Sequence, residues 1–219
     1  MASTTRRTPT TKAGGRSSAT MQRYMDAAEA LYIRLGYEGM SIRAISARAK
    51  LNLATVVYHW GTKEALFRAI CQRRFVAIHE EQLTRLRACA DDDSVDLETV
   101  LRALVEPPLR TGGTARTAQT IRLLYGRVLT DPSPVVLRIT VEMFADSSDL
   151  FRALIRKCLP HIDDDVFFWR CTCALGAFIF AQSFGHRIAY AADIDNRHSD
   201  WAVVTDEIVA FMAAGLLRR

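Results

Sequence analysis

Apolar residues recur at three- and four-residue spacing along most of the chain and nowhere alternate convincingly at period two, which predicts an all-α protein with no sheet. Met25, Ala28, Leu31, Tyr32 and Leu35 make one stripe, so a first helix is expected over Thr20–Leu35, with Gly36 as its left-handed cap. Ser41 has the N-cap chemistry for a second helix that turns Ile42, Ile45 and Ala49 inward. Lys50, Leu51 and Asn52 form a turn, Asn52 caps a short third helix over Leu53–His59, and Gly61 breaks it. Thr62 caps a long fourth helix reaching Cys89, with Glu64 placing negative charge near its N-terminus. Five more helices are expected over Leu97–Arg110 (disturbed at Pro107-Pro108), Ala115–Leu129, Pro134–Leu159, Val166–Ala192 and Asp200–Leu217, about nine in all.

Residues 41–64 therefore read as a helix-turn-helix, the layout that lays its second helix in the major groove of DNA. The third helix begins with small residues, Leu53 aside: Ala54 and Thr55 let a helix sit deep in a groove, and the Thr55 methyl can meet a thymine methyl. Tyr58 and His59 stand at its far end within reach of phosphates, and Lys63 is a phosphate anchor at a helix start. Arg43 points away from the expected core, and Ser41 and Asn52 sit at the two helix starts, which completes the DNA-binding set with Leu53. Val56 and Trp60 are expected to pack inward. An ordinary helical bundle with a short third helix would show the same spacing.

Charge agrees with a polyanion-binding head. Residues 1–74 hold 13 Lys/Arg against 4 Asp/Glu, net +9, and the remainder holds 16 against 20, net −4. Residues 1–18 are basic and poor in large apolar groups, which predicts a disordered arm, either a plain terminus or one that follows the minor groove. The expected organisation is that arm, a DNA-binding domain over 19–66 and a helical ligand-binding and dimerisation domain over 67–219.

The second part offers aromatic and aliphatic material for a core or for an apolar pocket. Leu124, Val128, Phe144, Trp169, Phe178 and Gln182 are the candidate ligand-binding residues, with Arg122 and His186 as further polar groups. Five cysteines, an odd number, argue against a disulfide framework, and the Cys171–Cys173 pair lacks a matching ligand pair for a metal. The longest apolar stretch, Cys171–Phe184, is too short to span a bilayer, no signal peptide is present, and a cytoplasmic location is expected. No nucleophile motif, phosphate loop, metalloprotease motif or cofactor fingerprint occurs, so neither catalysis nor a cofactor is expected.

The run Tyr58-His59-Trp60-Gly61-Thr62-Lys63-Glu64-Ala65-Leu66, preceded by DAAEALYIRLGYEGMSIRAISARA, resembles the DNA-binding domain of the TetR family of transcriptional regulators, whose helix ends in a run of the type Tyr-His-Phe-Gly-Ser-Lys-Glu-Ala-Leu. Lys50 stands where that family often has Gly, Trp60 where it usually has Phe, and Val57 where Tyr or Asn is common, which removes one possible DNA contact. The resemblance implies a homodimer of nine-helix protomers joined through helices 8 and 9, where Leu175, Phe178, Ile179, Ile208 and Phe211 supply apolar character. It further implies a pseudo-palindromic operator, repression, and release by a small molecule bound among helices 4 to 8, and the long fourth helix is the candidate lever. The stretches EPPLR, LTDPSP and CLPHID are similar to fatty-acid-responsive members and suggest a lipophilic or acyl effector.

Overall fold

The computed structural model of the chain describes residues 13–194 and 200–218, the side chains of residues 13–17 and of His186 excepted. Among the described residues there are nine helices and no strand. They are α1 (Ala13–Gly39), α2 (Ile42–Ala49), α3 (Leu53–Trp60), α4 (Lys63–Ala90), α5 (Leu97–Leu109), α6 (Ala115–Thr130), α7 (Pro134–Cys158), α8 (Asp164–Ala191) and α9 (Trp201–Leu217). The chain divides into two compact units, Met1–Ile70 and Cys71–Arg219, so the division falls inside α4. The basic arm proposed for residues 1–18 lies outside the described residues as far as residue 12, and α1 already begins at Ala13.

In the first unit α1 turns Ala28, Leu31 and Tyr32 of the expected stripe inward together with Tyr24 and Ala27, while Met25 is half-buried and Leu35 exposed. Gly36 adopts φ 71° and ψ −177°, a conformation open to glycine and strained for other residues, and one more helical turn follows to Gly39. Aromatic edges close this core: Tyr32 and Tyr37 meet Phe67 with ring centroids 4.7 and 5.3 Å away.

The turn between α2 and α3 is a two-bond helix stop. Lys50 sits in the left-handed region (φ 54°, ψ 47°), its N–H donates to Ala47 O at 3.2 Å, and the Leu51 N–H donates to Ser46 O at 3.1 Å. A lysine there bears a steric cost that glycine would not.

In the second unit α5 runs through Pro107 and Pro108 to Leu109, close to the expected span. Pro108 has no N–H to give to the carbonyl four residues earlier, that of Leu104, and that carbonyl accepts instead from Gln82 Nε2 of α4 at 2.7 Å. The prolines thus convert an internal helix bond into a tie between helices. α9 packs on α5 and α8, and α6 packs on α8. The α6–α8 contact is closest at Gly126, where a Cβ would stand 1.5 Å from Ser183 Oγ and 2.7 Å from Ser183 Cβ. Within α8, residues Asp164–Gly185 are long and apolar enough to cross a membrane by length and composition alone, a test that core helices also pass. Since α8 packs against α6 and α9, we read this apolarity as a helix with two sticky faces.

Two stability measurements test these contacts. In urea denaturation followed by circular dichroism, Lys50→Gly should be neutral or stabilising by up to about 1 kcal/mol, and Lys50→Val should destabilise by about 1 kcal/mol or more. Gly126→Ala should cost roughly 1–3 kcal/mol, because rotating the Ser183 hydroxyl away cannot move its Cβ. Adding Ser183→Gly should recover much of that loss, and a double variant no more stable than the single one would show that the strain lies elsewhere.

Candidate functional site

α3 is the least buried helix of the first unit, with Val56 as its one fully buried side chain. Its position is set from outside itself. The Tyr24 hydroxyl of α1 donates to the carbonyl of Asn52, and the Tyr24 ring meets Trp60 edge-on at 6.1 Å, so one α1 residue holds both ends of α3. Arg23 donates to Ala49 O at 2.7 Å, which ties α1 to the end of α2. Asn52 Oδ1 accepts from the Ala54 N–H at 2.9 Å and Ser41 Oγ from the Ala44 N–H at 3.1 Å, so both expected N-caps are formed.

The opposite face of α3 is open. Leu53, Val57 and Tyr58 are 44, 52 and 84 % exposed, an unusual density of apolar surface on eight residues. Ala54 is exposed beside them, Thr55 and His59 are half-buried, and the His59 ring lies between those of Tyr58 and Trp60. Arg43, Arg48 and Lys50 are exposed on α2 and the turn that follows. Lys63 behaves differently from a simple anchor: its Nζ donates to Tyr37 O at 3.1 Å and lies 4.0 Å from the Tyr37 ring centroid. It clasps the turn after Gly36 to the start of α4 and keeps further N–H donors for another acceptor.

Sequence reasoning missed Tyr24 and Arg23. Tyr24 stands four residues before Ala28 and seven before Leu31, so the helical period could have placed it inward.

The second unit encloses a cavity of about 450 Å³. Of the six expected ligand residues, Phe144 and Phe178 line it. Leu124, Val128 and Gln182 are buried but do not line it, and Trp169 is 64 % exposed on α8, because Phe167 takes the inward position. Arg122 is not in the wall either. Its guanidinium lies 3.9 Å from the Trp201 ring centroid and donates to Leu109 O at 3.4 Å, and burial pulls its pKa down. The His186 side chain is outside the described residues.

Aromatic packing builds one end of the cavity: Tyr125 meets Phe75 at 5.4 Å and Phe144 at 5.7 Å, both edge-on. Tyr125 is buried enough for its hydroxyl to be pushed up to about 12, with the Gln82 amide pulling weakly the other way. Ser147 Oγ donates to Phe144 O at 3.1 Å and lies 3.2 Å from His79 Nδ1, whose ring pKa is lowered by burial against the opposing pull of Asp146 and Glu80. Cys171 lines the wall with its thiol raised by burial, and Cys173 is exposed. Among the described residues no group of three or more His, Cys, Asp or Glu side chains is placed to hold a metal ion.

The comparisons with known proteins follow this division. Residues 25–70 match the family described as bacterial regulatory proteins, tetR family, and residues 102–215 match the tetracyclin repressor-like C-terminal domain. No curated protein sequence matches the chain. Among solved structures, a TetR-like transcriptional regulator from Rhodococcus sp. RHA1 is 18% identical with a TM-score of 0.58, covering 97% of this chain and 100% of that one. The hemolysin II transcriptional regulator HlyIIR is 16% identical with a TM-score of 0.59 over 89% of this chain and 97% of its own. The fatty acid degradation regulator FadR from Bacillus halodurans is 13% identical with a TM-score of 0.59 over 91% and 97%. At these identities the structures speak for the fold, and the two matching domains place the helix-turn-helix and the helical body in one lineage: the chain belongs to the TetR family of bacterial transcriptional regulators.

Proposed function

We infer that the chain is a dimeric repressor that reads a pseudo-palindromic operator through α3 and leaves it when a lipophilic molecule fills the cavity of the second unit. One observation carries this reading. Gln82 of α4 is part of the cavity wall, and the first turns of the same helix, with Leu66, Phe67 and Ile70, are buried in the core of the DNA-binding unit. A ligand that prefers one setting of α4 therefore biases the helix that carries the head, and coupling of about 1–3 kcal/mol is enough for a switch. Repression, ligand binding and dimerisation are typical of the family.

For base reading we propose Ala54 and Thr55, joined by the exposed Val57, with Tyr58, His59 and Lys63 toward phosphates and Ser41, Arg43, Asn52 and Leu53 toward phosphates or the groove edge. For the dimer we propose α8 and α9. Trp169, Cys173, Gly176 and Phe180 share one exposed face of α8, and Phe211 is 68 % exposed on α9. Phe178 and Ile208, expected at this interface, are buried inside the protomer, so the outward face takes their place.

Two experiments decide. Fluorescence anisotropy with labelled duplexes tiled across the chain's own upstream region, at roughly 0.15 M salt, should find one tile bound tightly. Thr55→Ala should weaken that tile about tenfold or more while leaving weak binding to other tiles unchanged. Lys63→Ala should lower the salt slope by about one unit if Lys63 meets phosphate, and lower affinity at unchanged slope if its clasp on Tyr37 is its whole role. Equal binding to every tile would sink sequence-specific reading of this region. Separately, Phe180→Glu should produce monomers in analytical ultracentrifugation, since a two-fold axis sets like charges against the same face, and tight operator binding should go with the dimer. A Phe180→Glu chain that sediments as a dimer would move the interface off this face.

A further inference from the structure

We propose that the cavity of the second unit is built for an uncharged lipophilic molecule carrying one hydroxyl, a phenol or similar aryl alcohol, and that it rejects free carboxylates. The proposal rests on the reading of this cavity as the effector site and specifies the chemistry of its occupant.

The argument starts at Pro108. Because its nitrogen carries no hydrogen, the Leu104 carbonyl is left to accept from Gln82 Nε2, and since a carbonyl can only accept, this contact at 2.7 Å fixes which end of the Gln82 amide is nitrogen. The second Nε2 hydrogen points to the Tyr125 hydroxyl oxygen at 3.4 Å. Both donors of the amide are then in use. Gln82 is fully buried, lines the cavity, and its Oε1 has no hydrogen-bond partner among the described residues. A buried amide oxygen without a partner carries a free-energy cost that a bound donor would remove.

Tyr125 supplies the complementary group. Its oxygen accepts from Gln82, so its own proton remains to donate, and burial keeps the phenol protonated at any physiological pH. An acceptor and a donor thus stand side by side in the cavity wall. A ligand hydroxyl is both at once: it can give its hydrogen to Gln82 Oε1 and take one from Tyr125. A carboxylate brings acceptors only and would set a buried negative charge against an amide oxygen.

Of the remaining polar lining, Ser148 is exposed, and Ser147 and Thr172 already donate their hydroxyl hydrogens to the carbonyls of Phe144 and Phe168. The charged wall residues, Asp149 and Arg152, pair with each other at 2.8 Å and are about seven-tenths exposed, so they mark the solvent side and offer no unneutralised charge. Phe144, Phe151, Phe167, Leu175 and Phe178 supply an apolar surround suited to a ring and an alkyl body.

The test compares four molecules of one shape: para-octylphenol, its methyl ether, octylbenzene and para-octylbenzoate. Each is measured against the full chain by equilibrium dialysis at neutral pH. The phenol should bind about tenfold tighter than the ether or the hydrocarbon, and about a hundredfold tighter than the benzoate. Gln82→Leu and Tyr125→Phe should each bring the phenol to within about threefold of the ether, with circular dichroism confirming that each unliganded variant is folded. If one variant fails to fold, the other and the ligand ranking in the unaltered chain still decide. Benzoate or ether binding as tightly as the phenol would overturn the proposal while leaving the cavity as an effector site. Failure of all four to bind would overturn the proposal and the effector-site reading together.

Discussion

A single continuous helix serves two hydrophobic cores, and most of what is particular to this chain follows from that constraint. α4 runs for 28 residues, which at the usual rise is about 42 Å. Leu66, Phe67 and Ile70 bury in one unit, and Phe75, Ile78, Gln82 and Leu86 bury in the other. A helix that buries residues against two cores lacks one clean apolar stripe, and its amphipathicity is weak for that reason. Its start is fixed by the Thr62 cap, whose Oγ1 accepts from the Ala65 N–H at 3.0 Å, and by the Lys63 clasp on Tyr37. Its middle is fixed by Gln82. The helix is thus held by polar contacts both at its start and in its middle.

The helices were legible because each depends on neighbours in sequence. Ser41, Asn52 and Thr62 cap helices within three residues of themselves, and Gly36 and Gly61 adopt positive φ where the chain must turn. The open face of α3 was legible in the same way, since Ala54, Thr55 and Tyr58 lie on a helix too short to bury more than Val56. What sequence did not reveal is how that helix is held, because Tyr24 and Asn52 are distant in the chain and the bond goes to a backbone carbonyl, which carries no residue signature.

The cavity was hardly legible. Phe167, Phe168 and Trp169 are three consecutive aromatics on α8, and a helix can send them only to different sides. Hydrophobicity alone gave Trp169 to the pocket, whereas the packing of α8 on α6 and α9 gives it to solvent and Phe167 to the wall. Gln182 illustrates the converse. It is buried on α8, yet outside the cavity, and neither amide atom has a partner among the described residues. A polar residue in an apolar helix signals burial with a purpose, but the sequence does not say which side of the helix that purpose faces.

Gln82 carried no such signal, lying in a charged stretch between Glu80, Glu81 and Arg85. Its role emerges only through Pro108, at the far end of the next helix. Proline in a helix is usually read as a defect, since it forfeits one bond of about 1 kcal/mol net and crowds the preceding turn. Here the forfeited acceptor becomes the one feature that orients a buried amide, and the oriented amide decides the polarity of the cavity. A leucine at position 108 would restore the helix bond and compete with Gln82 for the Leu104 carbonyl, so the amide would lose the contact that fixes its orientation. The helix-breaking residue and the chemistry of the pocket are therefore one device, built from a hydrogen that proline does not have.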